Sequence, residues 1–194
     1  VWTFPRRMPV IETVPLHCWA DRLEALCATL PPLHRVRVMA EIDTTQDLAR
    51  DSGIGTLVTT DRQRAGRGQR GNRWADTGES GLAFSICLPA TNQPERSLVL
   101  ARALAESLGT LLPDRIEVKP PNDLLVDGRK LAGVLIEQSV GAAVIGIGIN
   151  VGPVEWDEEL EGRAISLAEA GVQCDRLEVL ELVLPAVVHA WTGE

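Results

Sequence analysis

Residues 142–151 read Ala-Ala-Val-Ile-Gly-Ile-Gly-Ile-Asn-Val, ten positions without a charge. An unbroken run of small and β-branched side chains makes a strand buried on both faces, not one that alternates between core and water. Such a strand lies within a sheet, and the other segments must be arranged around it. Residues 16–30 place Trp19, Leu23, Leu26, Cys27 and Leu30 at helical spacing, ended by Pro31-Pro32. Residues 35–42 alternate, which predicts a strand, and Asp43-Thr44-Thr45-Gln46-Asp47 then supplies capping chemistry for a short helix ending near Gly53. A second strand is predicted over 55–60 and a third over 81–88. Residues 95–112 repeat Leu98, Ala101, Leu104, Ala105, Leu108 and Leu111 with helical period.

Residues 116–119 form a short predicted strand, and Asp127-Gly128 marks a hairpin between 124–126 and 130–137. Ser166 with Glu169, and Asp175 with Glu178, carry the spacing of capping boxes, and Pro185 is expected to kink the last helix, whose stripe is Leu177, Leu180, Leu184, Val188 and Trp191. This order predicts an α+β domain with a mixed sheet flanked by helices. The whole of 1–194 reads as a single domain, with 1–34 an irregular, proline-bearing arm followed by one helix.

The chemistry concentrates elsewhere. Between Arg62 and Arg73 five arginines fall within twelve residues, interleaved with Gly66, Gly68 and Gly71 and closed by Trp74, in a chain of net charge -8. Glycine lets backbone N–H groups approach a ligand, and guanidinium forks bind carboxylate and phosphate. The segment predicts a loop that orders around an anion. A pI near 5.0 argues against nonspecific nucleic-acid binding, so the positive patch suits a small anionic ligand or an acidic macromolecular partner. The four cysteines have neither metal-ligand nor redox spacing, and the three histidines cluster with nothing. No apolar run is long enough to span a bilayer, and the N-terminal stretch lacks a signal-peptide core, which predicts a cytoplasmic protein away from membranes.

Four segments together resemble biotin protein ligases. They are Asp43-Thr-Thr-Gln46; Gln63 through Trp74; Lys119-Pro-Pro-Asn-Asp-Leu-Leu-Val-Asp-Gly-Arg-Lys-Leu-Ala-Gly-Val-Leu-Ile-Glu137; and Gly146-Ile-Gly-Ile-Asn150. The resemblance covers about residue 36 to the C-terminus. It implies a biotin/lipoate protein ligase-like catalytic domain of class II synthetase type. It further implies ATP-dependent attachment of biotin, through biotinyl-5'-AMP, to a lysine of a biotin carboxyl carrier domain.

By this resemblance Lys130 and Arg67 are the catalytic side chains. Thr44, Thr45, Gln46, Gln63, Gly66, Arg67, Lys130, Gly133, Gly146 and Gly148 line the biotin site. Gln69, Arg70, Asn72, Trp74, Asn122, Lys130 and Asn150 meet ATP. ATP and biotin are substrates with Mg²⁺ in attendance, for which Asp123 is a weak candidate ligand. No DNA partner is implied, and the resemblance leaves a homodimer open. The chain is expected to lack the winged-helix DNA reader before residue 36 and the β-barrel that follows the catalytic domain in many relatives.

Three positions depart from the family pattern. Gln69 and Asn72 stand where arginines are usual, and Pro120 replaces a tryptophan. The first two imply a slower first step or a leakier adenylate. Rival readings are a lipoate or octanoate ligase or transferase on the same fold, and a biotin-binding module without turnover.

Overall fold

The computed structural model describes residues 13–193, so most of the expected irregular arm lies outside the described residues. Seven strands form one mixed sheet in the order β1-β2-β3-β7-β6-β5-β4. They are β1 (Arg35–Ile42), β2 (Thr56–Gln63), β3 (Gly81–Pro89), β4 (Ile116–Lys119), β5 (Asp123–Val126), β6 (Arg129–Gln138) and β7 (Ala142–Asn150). Only β1 and β2 run parallel, and each remaining neighbouring pair is antiparallel. The expected mixed α+β architecture is borne out, and the uncharged run at β7 is the central strand.

Four helices complete it: α1 (Trp19–Cys27), α2 (Thr45–Ser52), α3 (Arg96–Gly109) and α4 (Arg176–Thr192). Leu57 and Val58 on β2 show how the two faces differ. Leu57 joins the large core with residues of α1, α3 and α4, whereas its neighbour Val58 packs with Ala49 of α2, Cys87 and Val144. Successive strand residues point to opposite faces, so three helices cover one side and the short α2 covers part of the other. Along β7, Ile145, Ile147 and Ile149 face the large core. Val144 meets α2, and beyond it the same face offers Gly146 and Gly148 before Asn150 ends the strand. That bare stretch becomes the floor of the site.

Local signals account for the boundaries. Thr44 caps α2 by accepting from the Gln46 amide, and Asp175 with Glu178 forms the capping box of α4. Asp127 and Gly128 both have positive φ, 52° and 73°, as a two-residue type I′ hairpin between β5 and β6 demands. The Ser166–Glu169 pair also forms its reciprocal hydrogen bonds, but it caps a single turn and not a helix. Gly171, at φ 93°, ends that turn before any helix can propagate. Helix α4 runs on through Pro185.

Candidate active site

The arginine–glycine segment read as a loop folds on itself as a small irregular hairpin. Trp74 N–H donates to Gly66 O at 3.0 Å and Gly68 N–H to Asn72 O at 2.7 Å, with Gln69–Gly71 forming the tip. Arg67 and Arg73 are bridged across it. The hairpin leans over the bare glycine stretch of the sheet and drops Trp74 onto it. A β-carbon on Gly148 would lie 2.3 Å from the indole, and one on Gly133 would lie 3.3 Å from it. Gly133 and Gly148 are paired across β6 and β7, so the absence of two side chains makes the seat for one large ring.

A first cleft opens beside this ring. Thr44, Gln63, Arg67, Gln69, Trp74, Asn122, Lys130, Gly133, Gly146 and Gly148 line it, with Ala83 contributing from β3. Ten residues singled out from sequence therefore converge on one cavity. Gln46 is only 3% exposed and packs against Gly146, where a β-carbon would come within 2.7 Å of its Oε1. That Oε1 and the Nε of Arg67 are buried atoms without a hydrogen-bond partner among the described residues. Gln63 accepts through Oε1 from the Thr45 amide at 2.8 Å and the Thr45 hydroxyl at 3.1 Å. Its Nε2 is left on the Gly66 side, beneath the hairpin. Thr45 thus stands one layer behind the cleft, hydrogen-bonded in turn to buried Ser85 at 2.7 Å. A cleft floored by glycine and edged by Gln63 and the orphan Nε of Arg67, with the orphan acceptor of Gln46 buried against Gly146 outside its lining, suits a flat ligand carrying both donors and acceptors.

A second cleft lies around the same tryptophan. Asn72, Arg73, Trp74, Lys130, Asn150, Trp156, Leu160 and Arg163 are among its walls. Lys130 and Trp74 belong to both clefts. The Lys130 ammonium sits 5.5 Å from the centroid of the Trp74 ring and 2.7 Å from Asp123 Oδ1. Asn150 does not point at open space. Its Nδ2 donates to Lys130 O at 3.2 Å and Ile165 O at 3.1 Å, which fixes the backbone that carries the lysine. Asn122 has a similar bracing part, donating through Nδ2 to Val134 O at 2.9 Å.

Arg67 is held differently from the expectation that it waits for an anion. Its fork grips Asp47, Nη1 to Oδ2 at 3.1 Å and Nη2 to Oδ1 at 2.7 Å, and Nη2 also reaches Glu137 Oε2 at 3.1 Å. These hydrogen bonds pull the Asp47 carboxyl below its ordinary range and raise the Arg67 guanidinium above its own. Gly66 and Arg70 line a shallow outer groove along the hairpin, and Arg70 reaches neither cleft. Sequence reasoning missed Ser85, Trp156 and the carboxylates of Asp47 and Glu137 as parts of the site. Glu137 closed the third segment singled out, and Asp47 followed directly on the first. Trp156 sits in a connection with no periodicity, where only the tertiary fold shows its use.

Asp123, paired with Lys130, is the only acidic residue singled out for a metal. Among the described residues no group of three or more His, Cys, Asp or Glu is placed to hold a metal ion. The cysteines are free thiols, and burial pushes Cys27 and Cys174 up to about 11, so neither is poised as a nucleophile. No helix among the described residues is long and apolar enough to cross a membrane.

Residues 38–153 match the profile of the biotin/lipoate A/B protein ligase family. The bifunctional ligase/repressor BirA of Bacillus subtilis is 34% identical over 154 residues, covering 73% of this chain and 47% of that protein. The biotin–[acetyl-CoA-carboxylase] ligase of Mycobacterium tuberculosis is 33% identical over 126 residues, covering 61% of this chain and 47% of the relative. The chain therefore spans about half the length of these curated relatives. Among solved structures, a biotin protein ligase from Aquifex aeolicus in complex with biotin and ATP aligns with a TM-score of 0.74 at 35% identity. That alignment covers 81% of this chain and 70% of the other.

Proposed function

The chain belongs to the biotin/lipoate A/B protein ligase family, and from that premise we propose that it joins biotin to ATP as biotinyl-5'-AMP and passes the biotinyl group to a lysine of a carboxyl carrier domain. The observation that carries this reading is that Lys130 lines both clefts. A reaction between two anions needs a cation where they meet, and Lys130 stands at that junction.

In this reading biotin occupies the first cleft. Its ureido N–H groups match the orphan Oε1 of Gln46 and its ureido oxygen the Nε2 of Gln63, with Thr44 at the edge. The nucleotide occupies the second cleft, its base against Trp156, whose indole N–H is fixed by Glu169 Oε2 at 2.9 Å. Arg73 and Asn72 are within reach of its phosphates. A carboxylate oxygen of biotin attacks the α-phosphorus, the bond to the bridging oxygen of the β-phosphate breaks, and pyrophosphate leaves with the electron pair. The Lys130 ammonium offsets repulsion between the carboxylate and the phosphate as charge builds in the transition state. An acceptor lysine, as the free amine, then attacks the acyl carbon and expels AMP, losing its proton. The described side chains do not build a cage for Mg²⁺. Bound with the nucleotide, the ion would supply positive charge to its phosphates.

The test is pyrophosphate–ATP exchange with biotin, with lipoate and with neither. Exchange that depends on biotin alone is the expected result. Exchange with lipoate would overturn the choice of substrate, and tight biotin binding without exchange would leave a binding module in place of an enzyme.

A further inference from the structure

The hairpin of residues 66–74 forms one wall of each cleft, yet its own hydrogen bonds are few. Besides the seat of Trp74 on Gly133 and Gly148, a compact set of charges fastens it to the rest of the molecule. Asp47, in the first turn of α2, takes both arms of the Arg67 fork. Glu137, on β6, receives Arg67 Nη2 at 3.1 Å, Arg50 Nη2 at 2.7 Å and Gln46 Nε2 at 3.0 Å on the one oxygen Oε2. Arg50 also donates to Asp47 Oδ1 at 2.8 Å. Two arginines and two carboxylates thus balance, and they link helix, strand and hairpin at one point. The same carboxylate of Glu137 orients Gln46, whose other atom, Oε1, is the orphan acceptor beside Gly146.

We infer that Asp47 and Glu137 are positioning residues, which hold the Arg67 hairpin over the first cleft before substrate arrives and so set the affinity for the ligand of that cleft. This rests on the reading of that ligand as biotin. With both fork nitrogens engaged, Arg67 needs no rearrangement to let Nε and its aliphatic stem line the cleft. The charge that meets the reacting anions is then left mainly to Lys130. Bidentate geometry makes Arg67 irreplaceable by lysine at this position, because an ammonium cannot reach two oxygens of Asp47 and one of Glu137 with fixed planarity.

The experiment uses the full chain carrying Asp47→Asn or Glu137→Gln, with two readouts. Limited trypsin digestion without ligand reports whether the arginines of the hairpin are accessible. Exchange kinetics report the KM for biotin, the KM for ATP and kcat separately. Each substitution is expected to speed cleavage between Arg62 and Arg73 several-fold. Each should also raise the biotin KM by about tenfold, the loss of one charge-assisted hydrogen bond. The ATP KM and kcat should move little by comparison. In an Arg67→Ala background Asp47→Asn should add nothing further, since it acts through Arg67, whereas Glu137→Gln should keep only the part it exerts through Gln46. Tighter biotin binding in either variant would mean that the carboxylates compete with substrate for the arginine, and would overturn the inference. Unchanged trypsin cleavage, or effects fully additive with Arg67→Ala, would overturn it as well. The digestion needs no substrate, so it decides the inference even if the exchange assay rejects biotin.

Discussion

Lys130 has three neighbours that define its use: the Trp74 ring, the carboxylate of Asp123 at 2.7 Å, and the open space of two clefts. Its side chain is 38% exposed, so Lys130→Ala should leave the fold intact while removing the charge at the junction. Pyrophosphate exchange should fall by about 10²–10³, the usual loss for one electrostatic contact to a transition state. Biotin binding measured by calorimetry should weaken far less than the rate. Gly148 is the complementary case, a residue whose lack of side chain is the feature. Gly148→Ala would set a methyl 2.3 Å from the indole of Trp74 and force the ring off its seat. Thermal unfolding should show a loss of about 1–3 kcal/mol, the range for overpacking, and the Trp fluorescence should shift toward that of an exposed ring.

The hairpin and the long connection between β7 and α4 are the elements that differ most in how they are held. At the hairpin tip, Gln69 borders the first cleft and Asn72 the second, and both lack the charge that the family pattern carries there. Restoring it with Gln69→Arg and Asn72→Arg should slow escape of the adenylate. Rapid-quench measurement of enzyme-bound against released adenylate is the check, with unchanged release counting against a role for these positions. In the connection, Trp156 is oriented by Glu169, which is itself engaged by the amide of Ser166. Trp156→Ala should raise the KM for ATP by roughly tenfold, the lower part of the range for losing a stacked base. Binding of biotin alone should be unchanged, and Trp156→Phe should recover most of the ATP affinity.

Across the described residues, the large core and the two clefts lie on opposite faces of one sheet. Leu104 of α3 is fully buried in the large core, whereas the clefts lie on the other face behind glycines. Leu104→Ala should cost about 2–5 kcal/mol in urea unfolding, as deletion of a buried leucine usually does. The KM for either substrate should hold steady at temperatures where the variant stays folded. A change in the biotin KM comparable to that of Asp47→Asn would mean that the two faces are coupled.

The same division marks how far the amino-acid sequence reached. Periodicity placed β1 and the β5–β6 hairpin nearly to the residue, and α3 to within three residues at its C-terminal end, because each is specified by its own apolar pattern or an Asp-Gly turn. The Ser166–Glu169 pair misled only in length, since a capping box specifies where a turn begins while Gly171 decided where it stopped. The residue types of the site were legible too: glycines, amides, an arginine, a lysine, a threonine and a tryptophan in four segments, ten of which line one cleft. Partnership was not legible. That Arg67 clasps Asp47 and Glu137, that Trp74 fills the space above Gly133 and Gly148, and that Asn150 braces the Lys130 backbone all depend on distances between residues up to 91 apart in the chain, such as Gln46 and Glu137. Local preference is encoded residue by residue, but a contact across the sheet exists only once strand order and register are set. It was the order β3-β7-β6 that turned separate glycines into a floor and left a single lysine facing two clefts.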